Sequence, residues 1–256
     1  MRWLKNILKF RKKATKKVEL KVVEVKEIKK DIKKEKVMPK LDLSAIKKVE
    51  FPREQYYAAA HPKKQIYLHH TVSGEGVSGD INWWKNTSVR VATCVIIGHD
   101  GVIHQCFSSK FWAHHLGIKG AVFAKQGMQN FNTKLNQQSI GIEIDNWGGL
   151  EKKADGWYTF TGKKLSDDKV QEYPDGFRGF KAFEKYTDAQ IEATRQLLEY
   201  WGEHYDIDLK YKGDRIFDIC KDALEGDNGV YTHCSVRPDK SDVHPQPNLI
   251  EMLKSF

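Results

Sequence analysis

The excess positive charge of this chain is confined to its first 49 residues, and that limits what can fold. Residues 1–49 hold 18 Lys/Arg and 6 Asp/Glu, a balance of +12, whereas residues 50–256 hold the other 25 basic and 28 acidic side chains, a balance of −3. From Lys12 to Lys48 the chain is Lys-rich, lacks aromatics and has one proline, Pro39. Such a composition cannot bury enough apolar area to build a core by itself. The expected organisation is a basic arm over 1–49, disordered or docked on a partner, and a folded domain over 50–256. The nearly neutral body also removes the case for a nucleic-acid binder that the overall charge of +9 would make.

Other classes fall away quickly. No run approaches the eighteen apolar residues of a membrane-spanning helix. Four cysteines in 256 residues do not make a disulfide scaffold, and without a CxxC pair Cys94, Cys106, Cys220 and Cys234 read as reduced thiols. Lys5, Asn6 and Lys9 interrupt the stretch that a secretory signal would need. Trp3, Leu4, Ile7 and Leu8 fall at helical spacing among basic residues, which leaves two readings for Met1–Phe10: a solvated tail, or a helix lying on an anionic membrane.

Hydrophobic patterning organises the body. Gln65–His70, Val91–Gly98 and Val102–Cys106 read as strands, the last two joined by the turn His99-Asp100-Gly101. Asp80–Lys85 reads as a short helical piece. Ser139–Asp145 is a strand in which Ile140, Ile142 and Ile144 alternate with Gly141, Glu143 and Asp145. Residues 146–185 read as a long loop with at most one hairpin, and 206–229 as a loop with helical fragments. The pair Thr187 and Gln190 forms a capping box for a helix over about 188–204, its face lined by Ile191, Thr194, Leu197, Leu198 and Trp201. Val230–His233 is a last short strand and Gln246–Lys254 a terminal helix. The order of elements predicts an α/β fold, a mixed central sheet flanked by helices.

Three groups of residues carry candidate chemistry. Tyr67-Leu68-His69-His70-Thr71 ends a strand, and since side chains alternate, only one of His69 and His70 can face a given site. The segment from Thr232 to Pro245 offers His233, Cys234, Asp242 and His244 as potential metal ligands, and two His with one Asp would suit a catalytic zinc. Lys240, two residues before Asp242, would share its face in an extended segment and could aim a cation at developing negative charge. Glu143 faces away from the isoleucines of its strand. It is either a carboxylate placed for chemistry or one on a solvated face.

Together these motifs resemble the zinc-dependent N-acetylmuramoyl-L-alanine amidases of the type-2 amidase and peptidoglycan-recognition fold, from about Ile66 to Leu253. "YLHHT" resembles the first ligand motif of that family, "IIGHDGVIHQ" its hairpin, "WAHHLG" its His-x-Gly stretch, "NQQSIGIEI" its Ser-Ile-Gly-Ile-Glu strand, and "YTHCSVRPDKSDVHPQP" its final segment. The resemblance implies Zn2+ on His69, His233 and Asp242, with His69 preferred to His70 because Thr71 lies two places after it. It implies Glu143 and Lys240 as catalytic residues. His115, with His114 as the alternative, matches a substrate-side histidine, and Thr71, Trp84 and Trp147 join it as candidate substrate contacts. Trp83 and Trp112 are further candidate walls, and each tryptophan is as readily core. Three departures stand out: Cys94 where relatives often carry histidine, Val243-His244 in place of Pro-Gly, and longer segments over 146–185 and 206–229.

The implied activity is hydrolysis of the amide between N-acetylmuramic acid and L-alanine in peptidoglycan. The setting expected is bacterial cell-wall lysis by a phage endolysin or virion-carried lysin, held in the host cytoplasm before lysis or in the particle. A cytosolic recycling amidase has less need of the arm, which would contact anionic membrane, cell wall or virion proteins. The rivals are a non-catalytic peptidoglycan-binding module and a structural virion protein with a secondary amidase domain.

Overall fold

A computed structural model describes residues 40–256, and the readings for residues 1–39, including the pattern at Trp3–Leu8, lie outside the described residues. Residues 40–256 cluster as one compact unit. Its centre is a six-stranded sheet of β1 (Lys47–Lys48), β2 (Gln65–His70), β3 (Val95–Ile97), β4 (Ile103–Gln105), β5 (Ser139–Ile144) and β11 (Gly229–Thr232), in the order β1-β4-β3-β5-β2-β11. Strand β5 runs parallel to β2 and β3, β2 parallel to β11, and β4 antiparallel to β3, so the sheet is mixed. The two central strands, β2 and β5, are buried along their whole length. Both faces of these strands are covered, so the polar members Gln65, His69, His70, Ser139 and Glu143 are buried together with the apolar ones.

The helices are α1 (Ser78–Asn86), α2 (Gly120–Lys125), α3 (Asn132–Gln138), α4 (Asp188–Tyr205), α5 (Lys221–Glu225) and α6 (Pro247–Lys254). The capping box of α4 forms as its sequence requires: the Gln190 backbone N–H donates to Thr187 Oγ1 at 3.1 Å, and the Thr187 N–H donates to Gln190 Oε1 at 3.0 Å. Its inner face buries Ile191, Thr194, Leu197, Leu198 and Trp201. Helix α6 starts with Pro247 in its first turn, where no backbone donor is needed, and buries Leu249, Met252 and Leu253.

Three expectations need correction. The first is the boundary at residue 50. Lys47–Lys48 extends the sheet beside β4, and Leu41, Ile46 and Val49 pack against the core, so the folded body reaches back at least to Lys40. Charge density hid this, because three spaced apolar residues suffice to dock a segment on a core already present. The second is the loop over 146–185. It holds a three-stranded antiparallel sheet, β6 (Glu151–Lys153), β7 (Gly156–Tyr158) and β8 (Lys164–Leu165), and a hairpin of β9 (Val170–Phe177) with β10 (Phe180–Glu184). These elements enclose a small separate cluster of Trp147, Leu150, Trp157, Leu165, Val170 and Ala182. The strands β6, β7 and β8, two or three residues long, carry too little alternation to be read locally. The third is Val91–Gly98, where only Val95–Ile97 pairs in the sheet.

Candidate active site

The candidate residues converge where the central strands end, the place where ligands bind in open α/β sheets. Strand β2 delivers His69, β5 delivers Glu143 as its register partner, and a single turn after β11 delivers His233. Asp242 comes from the irregular segment beyond and is tied back by the Cys234 N–H donating to its carbonyl at 3.0 Å. His69 Nδ1 lies 3.1 Å from His233 Nδ1 and 3.4 Å from Asp242 Oδ2, and His233 Nδ1 lies 2.8 Å from that oxygen. All three residues are buried, and among the described residues they form the one His/Cys/Asp/Glu group with converging ligand atoms.

The donor set fits zinc. Ligands about 2.1 Å from a tetrahedral ion stand roughly 3.4 Å apart, close to the separations here. The outer ring nitrogens are also engaged. His233 Nε2 donates to the Leu116 carbonyl at 2.9 Å, and His69 Nε2 meets His115 Nδ1 at 3.0 Å. With Nε2 as the donor, each ring turns an Nδ1 lone pair inward. Two lone pairs and a carboxylate facing one another need a cation between them. Burial, with His233 alongside, lowers the His69 pKa to about 4, so its imidazole is neutral as a ligand must be. Burial works to raise the Asp242 pKa, but the neighbouring His233 and the close contacts with His233 and His69 outweigh it and hold the carboxyl well below its ordinary range.

Glu143 is 9% exposed. Burial pushes its carboxyl well above the ordinary range, Asp242 and Asp80 add to this, and the Lys240 ammonium opposes it. Lys240, half-buried, also acts on His69. A carboxyl, an ammonium and three metal-type donors thus lie within electrostatic reach of one another, a grouping typical of functional sites.

His70 turns to the other face, as alternation requires. Its Nδ1 is 2.8 Å from the Tyr186 hydroxyl. Cys234 Sγ donates to the Lys240 carbonyl, and His244 is pinned between the Tyr173 hydroxyl at 2.7 Å and the Glu184 carbonyl at 3.0 Å, so neither joins the ligand set. Val243 and His244, which follow Asp242, are wholly buried. Cys94 is a buried free thiol.

The expected substrate contacts fare differently. Trp84 and Trp147, 6% and 7% exposed, are packed inside, Trp84 in the main core and Trp147 in the small cluster. Their rings fill volume rather than line a groove. Trp112 stacks on Tyr57 with ring centroids 3.9 Å apart, and of these tryptophans Trp83 alone is exposed. Thr71 closes the strand end by exchanging hydrogen bonds with the Asn146 backbone. His115 reaches the site, but its ring lies against His69; burial, reinforced by His69 and His233, keeps it neutral. His114 points to Tyr57 instead.

Sequence reasoning missed a second group. His99 bridges two buried carboxylates, Asp145 at 3.1 Å and Glu184 at 3.3 Å, on the wall of a cleft of about 640 Å³. Glu184 sits 85 residues from His99, so no local pattern announces the pairing.

No curated protein matches the chain. Among solved structures, PlyL is 15% identical over 82% of this chain and 96% of its own, with a TM-score of 0.47. The N-acetylmuramoyl-L-alanine amidase LysC from Clostridium intestinale URNW is 13% identical over 82% and 95%, at 0.42. The catalytic domain of XlyA is 14% identical over 82% and 97%, at 0.45. The sequence profile described as N-acetylmuramoyl-L-alanine amidase matches residues 59–247, most of the chain and every residue of the converging site. This chain therefore belongs to the N-acetylmuramoyl-L-alanine amidase family, enzymes that act on peptidoglycan.

Proposed function

We propose that the protein is a zinc-dependent amidase that cuts the bond between the lactyl group of N-acetylmuramic acid and L-alanine, in the service of bacterial cell-wall lysis. The observation that carries this reading is the convergence of His69 Nδ1, His233 Nδ1 and Asp242 Oδ2 beside Glu143. His69, His233 and Asp242 would hold the ion. When bound, zinc supplies a Lewis acid and a water of lowered pKa. A Glu143 carboxylate oxygen takes the proton of the attacking water and returns it to the leaving amine. The Lys240 ammonium faces the negative charge that develops on the carbonyl oxygen.

The lytic setting, as a phage endolysin or virion-carried lysin, rests on the charge distribution. The +12 of residues 1–49 would draw the enzyme to anionic membrane, wall or virion surfaces, while the body carries out the chemistry. The experiment is digestion of purified peptidoglycan with and without chelator, with mass analysis of the fragments. Free stem peptides starting at L-alanine are expected, lost with chelator and restored by zinc. Cleavage that survives chelation would overturn the metal assignment. Binding without release would make the protein a recognition module.

A further inference from the structure

Two consecutive residues hold both ligating histidines. The His115 ring meets His69 Nε2 through its Nδ1 at 3.0 Å, and the Leu116 carbonyl accepts from His233 Nε2 at 2.9 Å. This pair is itself fixed at one point: the Asn136 Oδ1 accepts the backbone N–H of His115 at 2.9 Å and of Leu116 at 3.1 Å. Asn136 is fully buried on α3, and its amide nitrogen donates to the Asn132 carbonyl at 2.8 Å. The far side of the His115 ring is anchored by Nε2 to Ser139 Oγ at 2.8 Å. Ser139, Gly141 and Glu143 share one face of β5, and a Cβ at Gly141 would meet Thr93 Cγ2 at 2.8 Å and His115 Nδ1 at 3.0 Å. The glycine leaves the room that the ring occupies.

We infer that His115, Leu116 and Asn136 form a clamp that sets the tautomer and aim of both zinc-ligating histidines, so that His115 and Asn136 are positioning residues for the metal rather than substrate contacts. Both His115 ring nitrogens are engaged, one by a ligand and one by a serine, so neither is left for a substrate. In the consistent arrangement His69 Nε2–H donates to His115 Nδ1, and His115 Nε2–H donates to Ser139 Oγ. The clamp then presents His69 Nδ1 and His233 Nδ1 as lone pairs, and outer partners of this kind tune metal affinity. It also explains two positions of the strand motif that no chemistry claims, Asn136 and Ser139. The inference rests on the zinc reading above.

The test uses the full chain, with zinc affinity measured by competition with a chromophoric chelator and imidazole tautomers read by nitrogen NMR. His115→Phe keeps a ring but removes the acceptor, and Asn136→Leu removes the oxygen that holds both backbone amides. Each should weaken zinc binding 10- to 100-fold. Asn136→Asp keeps the acceptor and should restore affinity to near wild type, a rescue that a purely space-filling role does not produce. Thermal melts of the metal-free variants separate loss of fold from loss of aim. If His115→Phe and Asn136→Leu lower only the metal-free Tm, and the folded protein binds zinc as wild type does with unchanged tautomers, the clamp is refuted. If wild type itself binds no zinc, the zinc reading fails instead.

Discussion

Glu143 stands opposite His69 in the parallel pairing of β5 with β2, so the two side chains leave neighbouring strands on the same face. The register that aligns Ile66 with Ile140 and Leu68 with Ile142 for burial also sets a carboxyl beside a ligating imidazole. A slip of one residue would turn Glu143 to the face now taken by Ile142 and Ile144. Site geometry and core packing are thus one constraint.

If Glu143 moves the proton, Glu143→Gln should fold, bind zinc as wild type does and lose activity on the order of 10²-fold or more. Metal content by elemental analysis and release of stem peptide are the two measurements. Full activity in the variant removes Glu143 from the chemistry.

Asp242 is the only anionic member of the ligand set. Asp242→Asn keeps the shape and one oxygen but not the charge, and should weaken zinc binding by at least about tenfold. Chelator competition reads this directly. In metal-free protein the change should relieve Glu143, whose carboxyl Asp242 pushes up.

His99 predicts a pH dependence of stability. Burial opposes its protonation, but hydrogen bonds to Asp145 and Glu184 outweigh it and raise the pKa from 6.5 to about 10. The folded protein therefore holds a proton that the unfolded chain releases. The stabilisation is full below about pH 6.5 and is lost as the pH climbs towards 10. Tm should fall across that interval. His99→Gln, which strands two buried carboxylates, should cost roughly 3 kcal/mol at neutral pH and flatten the decline. An unchanged slope in the variant would assign the pH dependence elsewhere.

Residues 40–49 should contribute to stability. Chains beginning at Lys40 and at Glu50 differ by β1 and by the partly buried Leu41, Ile46 and Val49. At about 1 kcal/mol for each half-buried aliphatic side chain, the shorter chain should melt on the order of 5–10 °C lower. Equal melting temperatures would show that the segment is only laid on the surface.

The sequence by itself determined the elements whose signals are local. The isoleucine alternation of 139–144 and the box at Thr187 and Gln190 depend on neighbours within one strand or one helical turn. The order of the motifs carried the family and a short set of candidate residues. Only the tertiary structure decided what those residues meet. His69 and His233 lie 164 positions apart, and their ring nitrogens come within 3.1 Å because β2 and β11 pair side by side in the sheet. The same applies to Trp84 and Trp147, whose rings read equally as wall or core until packing buried them. It applies to the clamp, where one side-chain oxygen on a helix fixes a loop that in turn fixes two ligands. Periodicity records which face of an element is apolar. It does not record which element comes to cover that face, because that depends on sheet order and register, which long-range packing sets.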